Sequence, residues 1–184
     1  MKTEFSKSMR RLILSGIVVM GLGLHAKCQI QFEEITDADI EMVFQSSVAF
    51  SDVDQDGDED LLITGSIAAL QTSTNLYTND GGTFTLVENT PFDNVRLGSI
   101  AFSNVDGAGA ENVLLTGINA QGDRVSLFYT NTGSGFTLAD DIPFEGVIRS
   151  SIAFSDIDND GDNDVLITGG MTGGETISNL YTYA

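Results

Sequence analysis

The stretch SDVDQDGDEDLLITG, residues 51–65, decides the fold, because it joins an acidic loop to a continuous apolar run. It returns as SDIDNDGDNDVLITG at residues 155–169, and a related form, SNVDGAGAENVLLTG, lies between them at residues 103–117. The three copies follow one another at a constant spacing of 52 residues. A period of this length with strand-like segments only is typical of the blades of a β-propeller.

Residues 1–28 have the pattern of a secretory signal peptide. Four basic residues lie within the first 11 positions, and an apolar run at residues 12–24 follows that is too short to span a membrane. Small residues come next, so that cleavage after Ala26 or after Cys28 fits the pattern. We therefore expect a secreted or cell-surface protein with no membrane span in its mature chain.

The mature domain, residues 29–184, is strongly acidic. It keeps Arg96, Arg124 and Arg149 against 26 of the 27 acidic residues, and it contains no Lys, His or Cys. Nucleic acid and anionic membranes are poor partners for such a surface, whereas divalent cations suit it. The usual nucleophile–base pairs of enzymes need side chains that are missing here, so we expect no catalytic residues.

Residues 29–184 contain three repeats that align without gaps, at about 32–83, 84–135 and 136–184. Four candidate strands lie in the first repeat, at residues 47–51, 60–66, 75–79 and 83–87. Asp80-Gly81-Gly82 suits a tight hairpin turn between the last two. No window has a sustained helical period. The sequence therefore predicts an all-β fold of three four-stranded antiparallel propeller blades.

Three blades are fewer than the four to eight that usually close a propeller ring. The third repeat ends before its fourth strand, whereas residues 29–35 align with fourth strands, placing Phe32 with Phe84. We therefore expect a partial propeller or a fragment of a longer one. Closure by the N-terminal strand and a ring shared by several copies remain alternatives.

The acidic loops have the ligand spacing of a calcium site. Oxygen ligands at alternate positions, with a glycine at position six to reverse the backbone, suit a hard cation of six to eight coordination. Zinc would favour Cys or His, and magnesium keeps more water. An EF-hand is excluded, because position 12 is Ile63 where that motif has Glu. The predicted ligands of two Ca²⁺ sites are Asp52, Asp54, Asp56, Asp58 and Asp60 in the first loop and Asp156, Asp158, Asp160, Asp162 and Asp164 in the third.

The middle loop is a degenerate copy. It has Asn104, Asp106 and Asn112 at positions one, three and nine, and Ala108 at position five. Because two carboxylates are replaced by amides and one is lost, we expect this loop to bind metal weakly or not at all.

The segments AFSDVDQDGDEDLLITG and AFSDIDNDGDNDVLITG resemble the FG-GAP repeats, also called VCBS-type repeats, of integrin α-subunit propellers and many secreted bacterial proteins. The resemblance covers about residues 32–184. It implies that each loop joins the first and second strands of a blade and that positions one, three, five, seven and nine bind calcium. The FG and GAP signatures are reduced to Ala-Phe-Ser, and the blades are fewer than is usual for the family.

The expected function is that of a calcium-binding extracellular module for adhesion or for recognition of a protein or glycan, in which the metal is structural. The alternative is a non-catalytic accessory or structural repeat region of a larger secreted enzyme or surface protein. Tyr77, Tyr129 and Tyr181 recur at one position of the repeat, which favours packing between blades over stacking on sugars. No ligand-binding residue is assigned, and self-association that completes a ring stays open.

Overall fold

The computed structural model describes residues 31–36, 38–107 and 109–183. The chain divides into two units, Met1–Ile35 and Thr36–Ala184. The described part of the first unit, residues 31–35, has no regular secondary structure and is exposed. The predicted signal peptide, residues 1–28, lies outside the described residues. Within the described residues, no helix has the length and apolar character needed to cross a membrane.

The second unit is all-β and contains three antiparallel sheets, which confirms the predicted fold class at this level. The first sheet has the order β1-β2-β3-β4. Its strands are β1 (Phe44–Ser51), β2 (Asp60–Ala68), β3 (Gln71–Asp80) and β4 (Thr83–Leu86). The tight turn expected between β3 and β4 is present, with Gly81 and Gly82 at φ of 57° and 93°.

The second and third sheets repeat this pattern with variations. In the second, β7 pairs with β5, β6 and β8, and β9 completes the sheet. The third has the order β10-β11-β12, which makes three strands within the described residues. The bounds are β5 (Val95–Arg96), β6 (Ile100–Ser103), β7 (Asn112–Asn119), β8 (Arg124–Asn131), β9 (Phe136–Leu138), β10 (Ile148–Ser155), β11 (Asp164–Gly170) and β12 (Thr176–Tyr181), with a 3-10 turn at Thr172–Gly174.

The first strand of every sheet contains an irregularity at the same repeat position. Gln45, Leu97 and Arg149 have left-handed φ values of 53°, 58° and 49°. The irregularity shifts the register within β1 and β10, and in the second sheet it separates β5 from β6. At Gly98, beside Leu97, a Cβ atom would lie 1.6 Å from the Thr116 carbonyl oxygen, so that only glycine fits this bend.

Stacking of the sheets in chain order buries the core. Successive residues of a strand point to opposite faces, so a strand can contact two neighbouring sheets. In β7, Val113 and Leu115 pack in one cluster with Leu62 and Leu76 of the first sheet. Their neighbour Leu114 packs in a second cluster with residues of the third sheet. The second sheet therefore lies between the other two and is covered on both faces.

Aromatic residues that precede the first strands of the second and third sheets pack between the sheets. The ring of Phe92 lies 5.0 Å from that of Tyr129 and 4.9 Å from that of Phe136, centroid to centroid. Phe144 takes the same position 4.9 Å from Tyr181. Tyr129 is fully buried, and its hydroxyl accepts a hydrogen bond of 3.0 Å from the Asp93 N–H. Packing between sheets, which the recurrence of these tyrosines predicts, is therefore present at Tyr129.

Backbone hydrogen bonds also connect the first strands of successive sheets. The Leu97 N–H donates to the Gln45 carbonyl oxygen at 2.9 Å, and the Arg149 N–H donates to the Leu97 carbonyl oxygen at 2.6 Å. Both bonds join the left-handed residue of one sheet to that of the next. The same backbone hydrogen bond therefore joins sheets one and two and joins sheets two and three.

Replacing Leu114 by Ala tests the stacking. Leu114 is fully buried between sheets two and three, so Leu114→Ala should lower the free energy of unfolding by about 2–5 kcal/mol. Leu138, which is 43% exposed in the same sheet, is the control, and Leu138→Ala should cost about 1 kcal/mol or less. Urea titration measures both values. Equal losses for the two variants would contradict burial of Leu114 between sheets.

Candidate metal centre

The three loops lie at the same place in their sheets, between the first and second long strands. In each sheet, a serine and the residue at loop position nine form the cross-strand pair next to the loop. These pairs are Ser51 with Asp60, Ser103 with Asn112, and Ser155 with Asp164. The loops, residues 52–59, 104–111 and 156–163, therefore begin and end in the same register. This confirms their expected position between two strands and places the predicted ligands at one edge of each sheet.

The first loop folds its carboxylates back onto its own backbone. The two carboxylate oxygens of Asp52 accept hydrogen bonds of 3.1 Å from the N–H groups of Asp56 and Gly57. Gly57 has φ of 100°, which allows the reversal that turns these N–H groups inward. One oxygen each of Asp52, Asp54 and Asp60 lies within 4.8 Å of the others. Three of the five predicted ligands of this loop therefore converge.

The third loop has the same course. Gly161 has φ of 103°, and its N–H donates to the Asp156 carboxylate at 3.2 Å. Here the acids that offer oxygens within 4.8 Å of one another are Asp156, Asp158 and Asp160. Loss of solvation and the nearby charge of Asp160 raise the pKa of Asp158. The Asp156 Oδ1 atom is buried and accepts no hydrogen bond from the described residues. A carboxylate oxygen that accepts no hydrogen bond has the lone pairs needed to ligate a cation.

The side chain at position nine also accepts hydrogen bonds that join the loop to a later segment of the chain. Asp60 is 1% exposed, and its two oxygens accept from the N–H groups of Val53 at 3.0 Å and Asn79 at 2.8 Å. Asp164 accepts in the same way from Ile157 and Tyr183. Burial raises the pKa of Asp60, against the lowering effect of the two N–H donors.

The remaining predicted ligands are placed differently in the two loops. Asp56 lies outside the group of converging acids in the first loop, and Asp164 lies outside it in the third. The Asp58 carboxylate accepts a hydrogen bond of 2.8 Å from the Gly81 N–H in the β3–β4 turn. Sequence reasoning missed this contact, although the glycine-rich turn that supplies the donor was recognised. A metal bound through the Asp58 carbonyl oxygen would leave this side-chain hydrogen bond in place.

The middle loop is held by hydrogen bonds from both of its neighbours. Gln55 of the first loop donates its amide to the Gly109 carbonyl oxygen at 3.0 Å. Asn163 of the third loop donates its side-chain amide to the Asn104 carbonyl oxygen at 3.1 Å. Asn112 replaces the aspartate at position nine and accepts from the Asn131 N–H at 2.9 Å. No group of three converging acids is found in this loop within the described residues.

The donor set favours a hard cation. The described residues include no histidine, cysteine or lysine, so oxygen atoms are the ligands that these loops can offer. Oxygen-rich sites of six to eight ligands suit calcium.

No family model matches the chain, and no curated protein matches it either. The resemblance to FG-GAP repeats is therefore carried by the residues of the loops and strands alone and stays a prediction.

Position nine can be tested without any metal. Asn112→Ala removes the acceptor of the half-buried Asn131 N–H, so it should lower the free energy of unfolding by about 1–3 kcal/mol in a chelator. Asp60→Ala should do the same in the first loop, where two N–H groups lose their acceptor. Thermal melts in EDTA measure both effects. Unchanged melts would show that position nine acts only through a bound ion.

Glu111 should make stability depend on pH. Burial, and then the charge of Glu59, raises the pKa of the Glu111 carboxyl. The folded protein therefore holds this proton more tightly than the unfolded chain, and stability falls as pH rises through the carboxyl pKa. Glu111→Gln should raise the melting temperature at pH 7 in EDTA, with no difference below about pH 4. Glu59→Gln, the control, should give a smaller rise. A lower melting temperature for Glu111→Gln at pH 7 would contradict this sign.

Proposed function

We propose that this protein is a secreted calcium-binding module of FG-GAP type, whose sheets are propeller blades that act in adhesion or in recognition of a protein or glycan. The metal is structural. The observation that carries the proposal is the convergence of three carboxylates in each of two loops at the same position of their sheets. Without a cation, these carboxylates repel one another at short range.

The residues that would hold calcium follow from the geometry of the two loops together. Carboxylates at positions one and three converge in both loops, joined by position nine in the first and position five in the third. These four carboxylates and the position-seven carbonyl oxygen give five ligand groups, and a bidentate carboxylate or a water molecule would bring the oxygen ligands to the six or more that calcium requires. Calcium would supply charge neutralisation and would fix the course of the loop between two strands. Affinity in the range of roughly 10⁻⁴ to 10⁻³ M suffices outside the cell.

Catalysis is not part of the proposal. The described residues offer no histidine, cysteine or lysine, and the groups of three converging acids found among them lie in the first and third loops. Carboxylate pairs can hydrolyse glycosides, but such a pair needs one acid that stays protonated beside one that is free to react. Here the carboxylates are bonded to the loop backbone, as Asp52 and Asp56 show. A role as a non-catalytic accessory region of a larger secreted protein is the second candidate.

Exposed apolar side chains on the outermost sheets favour that second candidate as much as the first. Phe50 of the first sheet is 57% exposed, and Leu180 of the third is 55% exposed. Side chains of this kind at the ends of a stack suit contact with further protein surface. A glycan array and a pull-down with surface proteins distinguish recognition of sugars from recognition of proteins. Binding in neither would leave the accessory role.

Calcium titration tests the proposal directly. Isothermal calorimetry should give two sites per chain, and Asp56→Ala and Asp160→Ala should each remove one of them. Asn104→Ala, in the middle loop, is the matched control and should leave both. At free calcium about 100-fold above Kd, each site adds about 2.7 kcal/mol, so the melting temperature should fall by roughly 5–10 °C per site in EDTA. An unchanged melt in EDTA, with no heat of binding, would overturn the structural-metal role.

A further inference from the structure

The contact between neighbouring loops differs at the two junctions of the stack. Between the second and third sheets, the side-chain amide of Asn163 donates two hydrogen bonds of 3.1 Å, one to the Ser103 Oγ atom and one to the Asn104 carbonyl oxygen. Between the first and second sheets, the residue that aligns with Asn163 is Glu111. Because an ionised carboxylate accepts hydrogen bonds and donates none, Glu111 cannot supply the two bonds that Asn163 makes.

Ser51, which aligns with Ser103, has a hydroxyl oxygen without a partner. The residue is 6% exposed, and its Oγ atom forms no hydrogen bond with the described residues. Ala49, on the same face of β1, packs against the core between the first two sheets, so the Ser51 side chain points toward the second sheet. Leaving a buried hydroxyl unpaired costs free energy, and an N–H donor at this place would remove that cost.

A cavity of about 370 Å³ lies at this junction and is lined by acids of both loops. Asp52 and Glu59 belong to the first loop and Glu111 to the second, and Ser51 and Phe102 are also part of the wall. The charge of Glu59 is close enough to contribute to the raised pKa of Glu111. The volume lies in the range of about 300–1,000 Å³ that is usual for ligand pockets. The cavity therefore combines negative charge, an unpaired hydroxyl and room for an organic group.

We propose that this cavity binds the guanidinium group of an arginine side chain that belongs to a protein partner. The N–H groups of the arginine would replace the Asn163 amide of the other junction and donate to the Ser51 Oγ atom and the Asp52 carbonyl oxygen. Its positive charge would lie beside Glu59 and Glu111. A guanidinium suits this task because it is planar and carries five N–H donors that can reach several acceptors at once.

An arginine fits the cavity better than a metal ion does. Glu59 and Glu111 do not belong to a group of three converging acids found among the described residues, whereas a metal ion needs oxygen ligands that converge. Phe102 gives the wall an apolar surface on which the stem of an arginine can pack. The excess of acids in residues 29–184 attracts a basic protein segment. The inference rests on the recognition role proposed above and names the chemistry of the partner.

A short peptide tests the cavity. Acetylated and amidated Gly-Gly-Arg-Gly-Gly, titrated into the full chain with saturating calcium, should shift the NMR amide signals of Ser51 and Glu111. Salt at about 0.15 M screens long-range attraction to the acidic surface. The same peptide with citrulline, which keeps the shape of arginine without its charge, should bind about 10-fold more weakly or worse. A lysine peptide should also bind more weakly, because an ammonium group lacks the planar set of donors.

Glu111→Asn is the most informative variant, because it introduces the residue of the other junction. Its amide can donate to the Ser51 Oγ atom from within the chain, so the protein should stay folded while its affinity for the arginine peptide falls by roughly 10-fold or more. Ser51→Ala should leave the melting temperature unchanged or higher and should weaken the peptide several-fold, since it removes an acceptor that is unpaired within the described residues. Glu88→Asn, which removes an exposed acid outside the cavity wall, is the control and should bind the peptide as the wild type does.

The outcomes separate this inference from the proposed metal role. Equal peptide affinity in the wild type, Glu111→Asn and Ser51→Ala would overturn the arginine site, as would equal affinity for the arginine and citrulline peptides. A third calcium ion per chain that Glu111→Asn removes would also overturn it, because the cavity would then be a metal site. Absence of peptide binding while calorimetry still gives two calcium sites would contradict this inference alone. Peptide binding by a chain that binds no calcium would contradict only the metal role.

Discussion

Burial of both faces of the second strand, complete in the first and second repeats, is the constraint on which the rest of the structure depends. β7 shows it most clearly, since Val113, Leu114 and Leu115 are all fully buried although they point to alternate faces. A lone four-stranded sheet has no means of covering both sides of such a strand. Stacking in chain order, with Phe92 and Phe144 wedged between the sheets, is the arrangement that covers them.

The start of this second strand is also where a carboxylate is buried. An acidic loop enters the buried strand at position nine, and Asp60 and Asp164 are almost completely buried there. Their oxygens are satisfied by backbone N–H groups of the loop and of the strand after the next turn, which lowers the cost of burying a carboxylate. The remaining acids of each loop stay near the surface. Position nine therefore joins the core to the candidate site.

The repeat made much of this structure predictable, and long-range contacts account for the rest. The spacing of 52 residues located the second strands and the loops, because apolar periodicity and acidic turns are local signals. The third strand was expected at residues 75–79, but β3 is Gln71–Asp80, since pairing with β2 extends it. The division of β5 from β6 and the contact between Asp58 and Gly81 depend on neighbouring segments, which no local pattern records.

The loop with the fewest acids is the one that receives hydrogen bonds from two neighbouring loops. The middle loop, which keeps an acid at only one of the five ligand positions, receives hydrogen bonds from both neighbouring loops, through Gln55 and Asn163. The first and third loops carry complete acid sets, and within the described residues each is hydrogen-bonded to one other loop, the middle one. An ion in these outer loops would provide the restraint that the middle loop obtains from protein contacts. A loop between two others has less to gain from an ion, which gives a physical reason for Asn104 and Asn112 where the other copies have aspartate.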